Sequence, residues 1–467
     1  MKILTKLTFS SLFVVFVFQS MSQNISGSWT GYLTIKSTSL KIVFHFAQSS
    51  NQYKGTLDSP EQGAYDIPIK EVQFKNNELL LDISAIGGKY EAILTHSDTL
   101  SGTFIQGGQK LPLTVVRSNK ETQKFAIRPQ EPKPKFNYKI EEVKFTNEKA
   151  NIKLAGTITK PNGRGPFPAV VLASGSGPQD RNEEIFNHKP FLVIADYLTN
   201  NGIAVLRYDD RGVAESEGDF SSATSADFAD DAKAAFEFLK KQKNIDSKKV
   251  GIIGHSEGGM IAPMVAAEDN SVRFIILLAG PGIPIEELLI LQTRKVAEAE
   301  GTPTDEIEKA LAINVDLFDV ALHQKDEKKA IEQFEEIITK YTSDLPNEER
   351  ELALSESMKS TSALLTPWFR FFIGYNPQTI LEKVKCPVLA INGDKDVQVT
   401  AEENLAGIKK ALEKGGNKNY SIHNMKGLNH LLQTANTGAV SEYAKIEETI
   451  SPDVLKLMKE WILNQKK

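Results

Sequence analysis

Gly251-Ile252-Ile253-Gly254-His255-Ser256-Glu257-Gly258 decides how the rest of the chain is read. It begins inside an apolar strand pattern, Val250 to Ile253, and runs into a helix of small residues, Gly258 to Ala267. Between the two lies G-x-S-x-G. A Ser on so sharp a strand-to-helix turn is held in a strained backbone conformation, and Gly on both flanks lets neighbouring backbone approach without a Cβ in the way. The turn lifts the hydroxyl off the sheet. It also aims the first free N–H groups of the helix at anything bonded to that hydroxyl. The string alone is a weak signal, and the strand–turn–helix context gives it meaning.

On either side of this turn, strands and helices alternate. Tyr138–Phe145 and Ile152–Thr159 read as a hairpin, and Pro168 to Ala173 as an unbroken apolar strand followed by Ser174-Gly175-Ser176-Gly177-Pro178. A helix is expected over about His188 to Asn200 and a strand over Ile203 to Tyr208. The next helix, Asp227 to Gln242, carries Phe228, Ala232, Ala235, Phe236 and Leu239 on one face. Further strands are expected at Arg273–Leu278, Pro387–Ile391 and Tyr420–His423, and further helices at Ala401–Leu412 and Pro452–Asn464. Nearly continuous apolar strands separated by helices mean a mostly parallel sheet covered on both faces, an α/β fold.

The alternation breaks once. Residues 284–375 hold roughly four helical segments and no clear strand. An all-helical insertion between two sheet strands reads as a lid, placed where strand ends meet ligand. In its charged segment, Lys325 to Tyr341, Ile331, Phe334, Ile337 and Ile338 form a helical stripe, so the charges form a solvated face. Trp368-Phe369-Arg370-Phe371-Phe372 ends the insertion. Trp368, Phe369 and Phe372 either line a substrate pocket or dock the lid.

Before this region the character differs. Residues 24–117 read as short alternating strands broken by turn residues: Trp29 to Ile35, Leu40 to Phe46, Glu78 to Ile83, Tyr90 to Leu94, Leu100 to Ile105 and Leu111 to Val116. They argue for a small antiparallel barrel or sandwich over residues 23–117. His45 and His96 lie in or beside these strands and read as structural. Residues 118–137, polar and bearing Pro129, Pro132 and Pro134, read as a semi-rigid linker to a domain over 138–467.

At the start, Lys2 and Lys6 precede an apolar run from Leu7 to Phe18, and Ser20-Met21-Ser22 offers small residues for cleavage. This is the pattern of a secretory signal over residues 1–22, with export to a periplasmic or extracellular space. The run is too short for stable membrane insertion. A net charge of −5 over 467 residues gives no reason to expect nucleic acid as a partner. One cysteine, Cys386, permits no internal disulfide and no Cys-based metal cluster, and it reads as a small buried hydrophobe. Oligomeric state is not encoded in any of these features.

The Ser hydroxyl needs a base, and the base needs an orienting carboxylate. On such a sheet the chain order is Ser, acid, His. Of seven His, only His423 and His430 follow the acid loop Gly393-Asp394-Lys395-Asp396. His423 sits in a strand. His430 sits in the loop Gly427-Leu428-Asn429-His430, at the sheet edge where catalytic groups collect, and is chosen. Asp396 lies one step further out than Asp394 and is favoured as the acid, with Asp394 shaping the turn. Attack on a carbonyl also needs oxyanion donors. The Glu257 N–H is one, and the Ser176 N–H, or next the Gly175 N–H, is the other. No metal or organic cofactor is required.

With these residues in place, the chain resembles the α/β-hydrolase superfamily in Gly254-His255-Ser256-Glu257-Gly258, Asp396 and His430. Ser174-Gly-Ser-Gly-Pro-Gln-Asp180-Arg181-Asn182, Tyr208-Asp-Asp-Arg211-Gly and Gly427-Leu-Asn-His430 look like one branch, the bacterial carboxylesterases with an N-terminal β-domain and a helical lid. The first domain is similar to theirs in Gly27-Ser-Trp29, Ser59-Pro-Glu-Gln62-Gly63 and Gln106-Gly107-Gly108. The resemblance implies Ser256, Asp396 and His430 as a triad, an oxyanion donor near Ser176, and hydrolysis of short acyl esters as small-molecule substrates. A serine peptidase, a thioesterase or a polysaccharide deacetylase on the same fold is the alternative, with the N-terminal domain as a binding module. One departure is Ser174, which stands where many relatives have His before Gly. That residue shapes the loop and does not carry the proton.

Overall fold

The computed structural model describes residues 25–465 except 36–37, 50–51, 60–63, 76, 97, 107–108 and 119–127. The expected export signal over residues 1–22 lies outside the described residues. The chain divides into two compact units near residue 125.

The first unit is a closed barrel of eight antiparallel strands: β1 (Gly27–Ile35), β2 (Thr38–Ser49), β3 (Gln52–Ser59), β4 (Ala64–Lys75), β5 (Glu78–Ile83), β6 (Gly88–His96), β7 (Thr99–Gln106) and β8 (Gln109–Ser118), with β8 paired back onto β1. Alternation sends one face of each strand inward. In β5, Leu79, Leu81 and Ile83 are buried while Glu78 and Leu80 face out. Trp29, Phe44, Phe104 and Tyr90 fill the interior, and their polar tips are satisfied. Trp29 Nε1 donates to Ile25 O at 2.8 Å, and the Tyr90 hydroxyl to Leu113 O at 2.9 Å. The His45 ring lies between Ser28 Oγ (2.8 Å) and Asp58 Oδ2 (2.9 Å), joining three strands. Two strands were not expected from sequence, β3 and β4. Among the residues of β3 only Tyr53 and Leu57 are apolar, and the β3–β4 register shifts twice, so the period of two is broken where it would have been read.

The second unit is built on an eight-stranded sheet of order β16-β15-β14-β13-β11-β12-β10-β9. Its strands are β9 (Tyr138–Asn147), β10 (Ile152–Pro161), β11 (Phe167–Ala173), β12 (Ala204–Tyr208), β13 (Ile245–His255), β14 (Ile275–Leu278), β15 (Val388–Gly393) and β16 (Tyr420–Met425). β9 and β10 are antiparallel additions at one edge, and β12 through β16 run parallel with β11. This is the α/β-hydrolase arrangement. Strand alternation sorts the core into two layers. Ala169, Val171, Ile275, Leu277, Val388 and Ala390 face α2 (Ser225–Lys240), α3 (Gly258–Glu268) and α10 (Ala401–Lys414). Val170, Leu172, Ile276, Leu278, Leu389 and Ile391 face α1 (Pro190–Asn200) and α11 (Pro452–Leu463). The Thr224–Asp227 capping box starts α2, which is why its first turn is sharply placed.

Between β14 and β15 the insertion forms α4 (Ile285–Ala299), α5 (Thr304–His323), α6 (Glu327–Tyr341), α7 (Asn347–Thr361) and α8 (Pro367–Ile373), followed by α9 (Pro377–Leu381). Five helices stand where four were expected, because Pro367 starts a separate short helix at the aromatic cluster. Leu288, Leu289, Leu317, Phe318, Phe334, Phe369 and Phe372 give the insertion its own core. That core also takes in Met260 of α3 and Val399, so the lid is anchored on the helix that follows Ser256.

The linker expectation needs correction over its second half. Arg128 donates to the carbonyls of Phe186, Asn187, Ala444 and Ile446. Gln130 pairs with the backbone of Thr449 and Ile450. Residues 128–130 are therefore held in the second unit by side-chain hydrogen bonds that composition does not reveal.

Candidate active site

Ser256 directly follows β13 with φ 52°, in the left-handed region that an L-residue enters only at a cost of about 1–3 kcal/mol. Its flanks explain the two glycines. A Cβ on Gly254 would sit 1.9 Å from Gly258 O, and one on Gly258 would sit 2.1 Å from Ala173 O. Neither position can hold a side chain without opening the turn. The Ser256 N–H donates to Leu278 O at 2.9 Å, which ties the turn to β14.

Ser256 and His430 line one cavity of about 60 Å³, without a hydrogen bond between their side chains. His430 is buried, and its Nδ1 lies 2.8 Å from Asp396 Oδ2. The other carboxylate oxygen, Oδ1, accepts from the N–H groups of Gln398 and Val399, both at 2.8 Å. Asp394, the other sequence candidate, points elsewhere and accepts from Gly427 N at 2.6 Å. His423 lies in β16, with Nε2 at 2.8 Å from Ser421 Oγ.

Of the expected oxyanion donors, the Glu257 and Ser176 amides have no acceptor among the described residues, and both residues line the cavity. Gly175 is corrected: its N–H donates to Glu183 Oε1 at 2.6 Å and is not available to a substrate. Ser174 Oγ donates to Asp210 Oδ1 at 2.8 Å, and Asp210 Oδ2 accepts from Gln179 N at 3.0 Å. Asp210 thus braces both ends of the loop that carries Ser176. Burial pushes its carboxyl well above the usual range.

Several residues of the site were not singled out from sequence. Glu183 Oε1 also meets His255 Nδ1 at 2.9 Å, and His255 Nε2 donates to the carbonyl of His430 at 3.1 Å. A carbonyl only accepts, so Nε2 carries a proton, and the carboxylate favours one on Nδ1 as well. His255 is buried, which opposes its charge, yet Glu183 beside it raises its pKa. Glu183, with φ 52°, therefore ties the Gly175 loop and, through His255, the His430 loop to the nucleophile turn. Trp368, Phe369 and Phe372 all line the cavity, and Trp368 stacks on Phe372 with ring centroids 4.9 Å apart. Trp368 also docks the lid, since its Nε1 donates to Glu257 Oε1 at 2.9 Å. Pocket lining and docking are one arrangement, not two.

The Glu257 carboxyl is buried and is pushed up to about 6, with Ser225 Oγ and Trp368 Nε1 opposing the shift. A folded-state pKa above the unfolded value means stability is greatest below about 4.5 and falls as pH rises through about 6. Glu257→Gln, which keeps the acceptor, is expected to stabilise the fold by about 2 kcal/mol at pH 8 and to leave it unchanged at pH 4. Melting curves at the two pH values check this; a difference independent of pH would remove the ionisation from the account.

A family model of the X-Pro dipeptidyl-peptidases (S15 family) matches residues 150–424, which include Ser256 and Asp396 and end before His430. The chain belongs to the S15 family. Among curated relatives of this S15 chain, esterase EstD of Thermotoga maritima is 32% identical over 282 residues, covering 60% of this chain and 58% of EstD. The chain thus matches less than two thirds of that relative. Thiohydrolase aneE of Aspergillus aculeatus is 33% identical over 129 residues, 27% of this chain and 37% of its own. Among solved structures, the Pyrococcus furiosus esterase Pf2001 aligns with a TM-score of 0.41 and 19% identity, covering 66% of this chain and 90% of its own.

Proposed function

We propose that the chain is a serine carboxylesterase acting on short-chain acyl esters, with Ser256, His430 and Asp396 as its triad. The observation that carries this is the 2.8 Å contact of His430 Nδ1 with Asp396 Oδ2 beside the strained Ser256 turn. In the reaction, Ser256 Oγ bonds to the ester carbonyl carbon while its proton passes to His430 Nε2. The carbonyl oxygen gains the negative charge and is met by the Glu257 and Ser176 N–H groups. Collapse breaks the ester C–O bond, and the alcohol leaves with the proton from His430. Water then attacks the acyl-enzyme by the same transfers and frees the acid and Ser256. The N-terminal Lys and apolar run support export through a signal peptide as part of the same proposal.

Membership of S15 raises a peptidase as the second reading. An enzyme that cleaves behind a free N-terminus needs an anion for the substrate amine. Two carboxylates line the cavity and both are buried: Glu257 Oε1 accepts from Ser225 and Trp368, and Glu183 Oε1 meets Gly175 N and His255 while its Oε2 has no partner, so neither presents an exposed anion to an amine. This favours a neutral ester. On aryl butyrate, thiobutyrate and a proline-containing dipeptidyl anilide, kcat/KM is expected to be highest for the oxygen ester. A higher value for the anilide would replace the esterase reading by the peptidase.

A further inference from the structure

The polar lining of the cavity divides into groups with partners and groups without. Gln179 Nε2 donates to Ser176 O at 3.3 Å, and Gln398 Nε2 to the Tyr443 hydroxyl at 3.1 Å. Both ring nitrogens of His255 are paired, as are Glu183 Oε1 and Glu257 Oε1. Ser256, His430 and the Ser176 amide belong to the proposed reaction. Gln292 remains. It lines the same cavity, is only 6% exposed, and its carboxamide has no hydrogen-bond partner among the described residues.

Its position is not a surface accident. Gln292 lies on α4 one turn beyond Leu288 and Leu289, on the same helix face, and both leucines line the cavity too. An apolar side chain there would continue the Leu288–Leu289 wall. Its neighbours do not solvate it: Thr293 Oγ1 donates to Leu289 O at 2.8 Å and accepts from Asn314 Nδ2 at 3.2 Å. A ligand that fills the cavity displaces water from this carboxamide, and leaving it unpaired is then costly unless the ligand supplies the missing group.

We infer that Gln292 is a specificity-determining residue that takes a neutral hydrogen-bonding group, a hydroxyl or an amide, carried by the substrate beyond its scissile ester. This rests on the esterase reading above and narrows its substrate class. A carboxamide has both donor and acceptor and no charge, so it suits a hydroxyl or amide better than an ammonium or carboxylate. Hydrocarbon at that point leaves it unpaired, and a site built to pair a polar group rejects the analogue lacking it far more strongly than an apolar pocket rejects an added hydroxyl.

The test uses two pairs of esters that differ by one hydroxyl in place of a methyl. One pair differs in the acyl part, 3-hydroxybutyrate against 3-methylbutyrate. The other differs in the alcohol, 2-hydroxyethyl butyrate against propyl butyrate. The full chain is expected to favour the hydroxylated member of at least one pair by about 10-fold or more in kcat/KM. Gln292→Leu is expected to bring that ratio close to one while retaining turnover of the apolar member. Gln292→Met serves as the second variant, because a flexible side chain fits the same space if Leu does not. Wild-type ratios near one in both pairs, or ratios that neither variant changes by about 3-fold, would overturn the inference and mean that solvent alone pairs Gln292. Hydrolysis of none of the four esters by the wild type would sink the esterase reading itself.

Discussion

Ser256→Ala is expected to lower kcat on a short-chain aryl ester by on the order of 10⁴ to 10⁶-fold, with little change in melting temperature. The reasoning starts at the backbone. The turn is held by Gly254, Gly258 and the Ser256 N–H to Leu278 O contact, none of which uses the hydroxyl. Ser256 Oγ makes no hydrogen bond among the described residues, so its removal breaks nothing that supports the fold. The φ of 52° is as strained for Ala as for Ser, and both states keep the same Cβ. What disappears is the atom that bonds to the carbonyl carbon. His430 and Asp396 then have no nucleophile to serve, and only binding and the amides of Glu257 and Ser176 can act on a water. The same variant loses covalent labelling by an aryl phosphonate. An activity within 10-fold of wild type, in a folded protein, would remove Ser256 from the mechanism.

Much of the architecture was legible because it rests on local periodicity. The apolar runs at Pro168–Ala173, Val250–Ile253 and Pro387–Ile391 are strands buried on both faces, and helix α2 shows its core stripe openly. The helical insertion over 284–375 was equally plain, since nothing in it alternates. What stayed hidden depends on contacts between distant segments. Glu183 meets a histidine 72 residues away, and that histidine meets a carbonyl 175 residues further on. Gly175 looked like a free amide because only the folded chain brings Glu183 to it. Trp368 posed a choice between pocket and docking because no periodicity states which of its atoms face Glu257. β3 and β4 were invisible for a different reason, a register that shifts where the alternation should have been counted.

The choice between Asp396 and Asp394 leads to the second large effect. Asp396→Asn is expected to lower kcat by about 10⁴-fold with KM nearly unchanged, whereas Asp394→Asn should cost less than about 10-fold. The backbone determines which way the new amide points. In the native protein Oδ1 accepts two N–H groups, from Gln398 and Val399, so the Asn oxygen must take that side. The NH₂ then faces His430 Nδ1, which can only accept from it and so loses its proton there. A neutral imidazole so placed carries its proton on Nε2, the atom that has to receive the Ser256 proton. The base is thus present, correctly placed and in the wrong tautomer. Asp394 has no such link, since its contact is to Gly427 N, at the base of the loop that carries His430. Its replacement loosens a loop without changing a tautomer, and an Asn oxygen can still accept from Gly427. Steady-state kinetics on the two variants and the wild type decide the assignment. A loss for Asp394→Asn that equals or exceeds that for Asp396→Asn would transfer the role of acid to Asp394, against the geometry of the Oδ2 to Nδ1 contact.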